Sequence, residues 1–353
     1  MKNTSYGNLI LEIKNILKDI LASVPSLRVK EKNQSESQGI ARPDFVFLVN
    51  NGVSSKWIVV EIKSSGEPRY VRSAIQQIKE YISQFDDAYG IVGAPFISND
   101  TAMICKQSGV GYIDTAGNCL INFGQIYIER KNYPNPKTEK RTLRSIFSRK
   151  ATRIIRVLLC NPKRFWKVQE LAQESNVSLG LAFKVKERLL DLDYAKVENR
   201  KIGLSRPQEL LSKWANNYSF RKNTLYDCFS IKSAREVEQS LAEYCLQKRI
   251  PYAFTLFSGA ALVAPFSRYT RGFVYIKDNL ENITNALELK RVDSGANFTL
   301  MQPYDDGVFY GKREIKNSAV VSDIQLYLDL VSYKGRGEES AQFLLEQRLK
   351  PQW

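Results

Sequence analysis

The sequence has no histidine, only three methionines and five cysteines, and no apolar run approaching the roughly 20 residues of a membrane-spanning helix. Histidine is the usual general base near neutral pH and the commonest transition-metal ligand, so its absence excludes Ser-His and Cys-His nucleophiles and histidine-bound zinc or iron. Chemistry, if there is any, falls to carboxylates, lysine, tyrosine, or a hard cation held by oxygen. Cys105, Cys119, Cys160, Cys228 and Cys245 lie 14 or more residues apart. That spacing contains no CxxC metal or redox pair and fits reduced thiols in a cytoplasmic protein. The start, MKNTSYGNLILEIKNIL, is interrupted by Glu12 and Lys14 and has no small-residue cleavage site, so no secretory leader and no membrane attachment is expected.

What is present is a chain of 353 residues, 43% hydrophobic and 25% charged, within the range of globular proteins and long enough for two or three domains. Lys and Arg number 52 against 37 Asp and Glu, a net charge of +15. Residues 1–128 carry a net +1, whereas residues 129–164 alone carry +10. Within that stretch Tyr133-Pro134-Asn135-Pro136 reads as a linker, because two closely spaced prolines neither continue a helix nor pair in a central strand. Leu143, Phe147, Ile154 and Leu158 then recur at near-helical spacing, with Arg144, Arg149, Lys150, Arg153 and Arg156 as cations for phosphate contact. A solvated basic helix is the competing reading.

The first 130 residues predict a helix (5–23), strands at 27–32, 41–50 and 56–63, a helix at 71–85 and a strand at 89–94, an α/β unit with a crossover. Three charges interrupt these apolar strands: Asp44, Glu61 and Lys63. A hairpin through Asn50-Asn51-Gly52 brings Asp44 and Glu61 to one end of the sheet, and strand alternation puts Glu61 and Lys63 on one face. Two carboxylates, with the Ile62 carbonyl, suit Mg²⁺, and a lysine beside them can orient water or offset charge on a phosphodiester. Pro43-Asp44 followed by Glu61-Ile62-Lys63 resembles the motif of the PD-(D/E)xK nuclease superfamily, and Gln77 and Tyr81 resemble the QxxxY element of its RecB-type members. The resemblance covers about residues 1–130. It implies a restriction-endonuclease-like α/β domain with Asp44 and Glu61 as metal ligands, Lys63 as a catalytic residue, and Gln77 and Tyr81 supporting the site. Glu12 matches the family's auxiliary acid only loosely; a solvated helix carboxylate reads it equally well. Asp114 with Asn118, in Gly109–Ile121, reads as a turn-setting pair.

Between Phe165 and Leu204 the pattern is two short helices joined by a tight turn, the second capped by Ser178, and then a hairpin. This is similar to the winged helix-turn-helix of bacterial regulators. It offers Ser178, Lys184, Lys186 and Arg188 on the second helix, and Arg200 and Lys201 at the wing tip, for phosphate contact. Winged helices that bind proteins are the alternative. From 219 onward a helix at 233–247, a strand at 272–276 and a helix near 323–331 predict an α+β domain. Phe257-Ser258-Gly259 followed by Phe273-Val274-Tyr275 resembles a degenerate nucleotidyltransferase-like fold, because aromatic residues stand where that fold places an acidic metal pair. Val321–Leu330 with Gly335–Glu339 looks like the C-terminal region of AbiEi-like type IV antitoxin regulators, a resemblance spanning roughly 140–350 with the winged helix. It implies promoter binding by the winged helix and a partner protein for the C-terminal part.

Three domains are therefore expected: 1–133 nuclease-like, 134–218 basic helix plus winged helix, and 219–353 α+β. The leading expectation is a Mg²⁺-dependent DNA endonuclease, with Mn²⁺ able to substitute, in host defence or a mobile element. The alternative is an AbiEi-type DNA-binding regulator with an inactive nuclease fold. DNA is the expected partner under both, and two cuts from one site per chain would favour a homodimer.

Overall fold

The computed structural model describes residues 2–32, 42–136, 145–266 and 268–353, with the side chains of residues 2–5 left aside. The chain is mixed α/β and divides into two compact units, residues 1–142 with 191–193, and residues 143–190 with 194–353. The expected middle and C-terminal domains therefore share one unit. Among the described residues no helix is long and apolar enough to cross a membrane. All five cysteines are free.

The first unit runs α1 (Lys2–Ala22), β1 (Arg28–Glu31), β2 (Phe45–Asn50), β3 (Ser55–Ile62), α2 (Pro68–Ile82), β4 (Ala88–Ala94), α3 (Asn99–Gln107), β5 (Gly111–Asp114), β6 (Cys119–Phe123) and β7 (Ile126–Arg130). These seven strands form one sheet in sequence order. It is antiparallel except for β3–β4 and β4–β5, whose parallel pairing requires the crossover helices α2 and α3. Asn50, Asn51 and Gly52 make the β2–β3 turn: the Asn51 side-chain oxygen accepts from the Val53 and Ser54 amides, and Gly52 takes a φ of 87°. The hairpin register sets Phe45 opposite Val60. Ile13, Leu17, Ile20 and Leu21 of α1 recur at helical spacing and bury against Phe45, Phe47, Ile58 and Val60 on one face of the sheet. Val71, Ala74, Ile75 and Ile78 of α2 pack with Val92 and Ala94 in a second core.

The second unit begins with α4 (Ala151–Cys160), α5 (Val168–Glu174), α6 (Leu179–Asp191), and the two-stranded sheet β8 (Ala195–Glu198) and β9 (Lys201–Leu204). Trp166 bridges to Ile202, tying the α4–α5 connection to the hairpin. The chain continues through α7 (Pro207–Ala215), β10 (Thr224–Phe229), α8 (Ala234–Lys248), β11 (Tyr252–Phe254), α9 (Leu256–Val263), β12 (Gly272–Ile276), α10 (Leu280–Ala286), β13 (Lys290–Arg291), β14 (Phe298–Gln302), β15 (Arg313–Ile315), β16 (Ser318–Val320), α11 (Asp323–Val331) and α12 (Arg336–Leu344). Seven of these strands form a mixed sheet, β13-β10-β14-β12-β11-β16-β15. Ser233 and Glu236 form a capping box at the start of α8.

The structure corrects the expectation of a basic helix with a phosphate-facing side. Here α4 starts only at Ala151 and is buried at Ile154, Ile155, Arg156, Val157, Leu158 and Leu159. An element so surrounded is a core helix, and α11 is among its neighbours.

Candidate functional site

Asp44 directly precedes β2, with its amide bonded to the Val60 carbonyl at 3.0 Å, so the hairpin holds it at the end of the sheet where β3 delivers Glu61. One carboxylate oxygen of Asp44 accepts from the Ile62 amide at 2.6 Å. Lys63, the residue after β3, donates to Glu61 Oε1 at 2.7 Å and also to Gln77 Oε1. Gln77 and Tyr81 lie one turn apart on α2, and Tyr81 is buried. Asp44, Glu61, Lys63 and Gln77 are thus brought together from positions 33 residues apart in sequence.

Burial raises the Asp44 carboxyl above its ordinary range, while the Ile62 amide, the Tyr6 hydroxyl and Lys63 pull it back. Burial likewise raises Glu61; the Lys63 hydrogen bond opposes the rise and the Asp44 charge adds to it. Tyr81 is raised by burial and then by the charges of Glu61 and Asp44, which places its phenol within their field.

Sequence reasoning missed Tyr6. Its hydroxyl donates to the Ile62 carbonyl at 2.8 Å and lies 3.3 and 3.2 Å from the two Asp44 oxygens. Burial and the Asp44 and Glu61 charges push the phenol up. A lone tyrosine on an amphipathic helix gives no motif to find. Glu12 is exposed on α1, six residues and roughly 9 Å along the axis from Tyr6. Among the described residues no three carboxylates or cysteines gather as a metal cage.

One hydroxyl touching both Asp44 oxygens and the Ile62 carbonyl shows that these oxygens converge on one point, beside the second desolvated carboxylate. An all-oxygen donor set of this kind fits a hard divalent cation such as Mg²⁺. Asp114 sets the β5–β6 turn, accepting from the Ile97 and Asn118 amides and from the Asn118 side chain.

In the second unit Ser178 caps α6, accepting from the Leu181 amide at 3.3 Å. Lys184 is exposed, while Lys186 and Arg188 are half-buried and Lys186 pairs with Glu187 at 3.0 Å. Asn199 and Arg200 both take positive φ, 49° and 63°, making the two-residue turn that puts the Arg200 side chain at the hairpin tip, next to Lys201. Leu179 and Phe183, one turn apart on α6, are 55% and 53% exposed, apolar surface that the sequence pattern does not single out.

The cations before and along α4 divide. Lys150 is exposed, and Arg149 is 65% exposed with Asp305 at 3.4 Å. Arg153 is committed to Asp305 through its Nε and Nη2 at 2.9 Å. Arg156 is 2% exposed, donates to Gln325 Oε1 at 2.7 Å and stacks over Trp214 at 5.0 Å. No phosphate can reach Arg156, and a phosphate would have to displace Asp305 to engage Arg153. Arg144 lies outside the described residues. In β12, Phe273, Val274 and Tyr275 are all buried, and the Ser258 hydroxyl accepts from the Phe273 amide, so this strand presents no acidic pair.

No curated protein matches this chain. Residues 203–350, less than half of the chain, match the family described as transcriptional regulator, AbiEi antitoxin, type IV TA system. The match runs from β9 to beyond α12, all within the second unit, and it is to these regulators that this part of the chain is similar.

Proposed function

We propose that this protein is a DNA-binding transcriptional regulator of the AbiEi antitoxin type. The observation that carries the reading is the family match over residues 203–350, a region in one compact unit with α4, α5, α6 and the β8–β9 hairpin. Three helices followed by a two-stranded hairpin suit a winged helix, with α6 as the helix for the major groove and Arg200 at the wing. Lys184, Arg200 and Lys201 supply phosphate contacts, while Leu179 and Phe183 suit apolar contact with thymine methyl groups. As in an antitoxin, the C-terminal part would meet a partner protein. The test is metal-free binding to duplex from upstream of the gene, scored against an unrelated duplex. A preference of the wild type for the upstream duplex, with binding to both duplexes weakened by Lys184→Ala and Arg200→Ala, supports the reading; equal binding of the wild type to both duplexes removes the regulator.

A second reading is favoured by the cluster at the end of β3, on a sheet whose helix-and-strand order suits the PD-(D/E)xK fold. In it the first unit is a Mg²⁺-dependent endodeoxyribonuclease. Asp44, Glu61 and the Ile62 carbonyl would hold the cation, which when bound would polarise the phosphodiester. Glu61 and Gln77 hold the Lys63 ammonium where it can orient an attacking water or offset charge on phosphorus. Tyr81, one turn from Gln77 on α2, would support the site from the same helix. Supercoiled plasmid incubated with Mg²⁺ or Mn²⁺ should be nicked by the wild type but not by Asp44→Ala or Lys63→Ala. Equal nicking by all three proteins, or by none, sinks this reading without touching the first.

A further inference from the structure

The second unit contains a cavity of about 180 Å³ between the chain entering β12 and the α11–α12 connection, lined by residues from both. Arg268, Lys334 and Arg336 stand around it together with Arg271, and no carboxylate lines it. Arg271 is already committed, bonding to Asp227 and to the Thr299 hydroxyl. Arg268, Lys334 and Arg336 are exposed and, among the described residues, have no carboxylate at ion-pair distance. Gathering like charges without a counter-charge is unfavourable, and an anion reverses the sign of that interaction.

The rest of the lining is aromatic. The Tyr333 ring lies edge-on to Phe257 with centroids 5.0 Å apart and is stacked on Phe220 at 6.1 Å, so its orientation is fixed from two sides. Tyr269 is anchored through its hydroxyl to Glu238 at 2.7 Å. A volume of about 180 Å³, below the ~300 Å³ lower bound for drug-sized sites, admits one planar ring, and the exposed Arg268, Lys334 and Arg336 are left to meet a phosphate at its edge. Fixed aromatic rings beside unpaired guanidinium and ammonium groups match a ligand that carries a π-surface and a phosphate together.

We propose that this cavity binds a nucleoside phosphate, its ring against the aromatic lining and its phosphate on Arg268, Lys334 and Arg336. The ligand is either a free nucleotide or the terminal nucleotide of a single strand, and the chemistry is shared. Isothermal titration of the full chain with AMP, ATP, inorganic phosphate and a 5′-phosphorylated thymidine tetranucleotide separates the sources. Arg268→Gln/Arg336→Gln and Lys334→Gln serve as variants, since these exposed side chains leave the core intact. AMP, ATP or the tetranucleotide should bind the wild type and bind the double variant at least tenfold more weakly, with the thermal midpoint and duplex binding unchanged. Tighter binding of the tetranucleotide assigns the strand terminus, tighter binding of AMP or ATP assigns the free nucleotide, and either supports the site. No binding by any nucleotide probe, undiminished binding in both variants, or inorganic phosphate binding as tightly as AMP overturns it.

Discussion

Asp329 is buried among four donors: the hydroxyls of Tyr218 (2.6 Å), Tyr275 (3.1 Å) and Thr255, and the Gln325 amide (3.0 Å). Burial nonetheless holds its carboxyl above the ordinary value of 3.8, with those donors opposing the rise. The folded chain therefore binds this proton more tightly than the unfolded chain. Its contribution to stability is fully present below the ordinary carboxylate range and is lost as pH rises through the raised value. The stability advantage of the wild type over Asp329→Asn should accordingly narrow from pH 4 to pH 7 in urea titrations; a widening gap would show the opposite shift. At the hairpin tip, Arg200 adopts a left-handed conformation that glycine takes without strain. Arg200→Gly should therefore gain about 1 kcal/mol of stability while weakening DNA binding, and a variant that loses both would mean the turn depends on the arginine.

At the scale of elements, the β2–β3 hairpin, α2 and the α8, β12 and α11 positions are legible because local signals agree: Asn-Asn-Gly at the turn, alternation in KWIVVEIK, Ser233 with Glu236 at a helix start. The helix α3 is not, since only Thr101, Ala102 and Cys105 of its nine residues are buried and its apolar period is weak. Its signals are Ser98, whose side chain accepts from the Thr101 amide, and Asp100 in the first turn. The helix α4 misleads for a different reason. Its cations look free because their hydrogen-bond partners, Asp305 and Gln325, lie 152 and 169 residues away in sequence. The same distance effect hides Tyr6, 38 residues from Asp44. Among the described residues Arg156 Nε and Nη1 find no hydrogen-bond partner although the side chain is buried. Arg156→Met, which keeps the volume and removes the charge, should thus cost less stability than Arg156→Ala, whose loss should be on the order of 3 kcal/mol. Neither should alter the DNA affinity of protein that remains folded, and a drop in affinity there would return α4 to the DNA surface.

Across the whole molecule, the net charge of +15 has no histidine in it and is concentrated before and along α4. Two of those cations, Arg153 and Arg156, serve the interior of the second unit, so the excess exposed to solvent there is smaller than composition implies. The cations on α6 and the hairpin proposed to meet phosphates are few and individually testable. The first unit gathers its carboxylates and lysine as the motif spacing predicts, yet the family likeness lies entirely in the second. We therefore expect α6 and the β8–β9 hairpin to carry DNA binding. Fluorescence anisotropy on upstream duplex without divalent metal, across a salt series, measures this for the wild type and for Lys184→Ala/Arg200→Ala/Lys201→Ala. The triple variant should bind at least tenfold more weakly, with a salt slope shallower by about 3, one for each phosphate that no longer meets a cation. Equal affinity and slope in the two proteins would place DNA binding elsewhere on the chain and contradict this expectation.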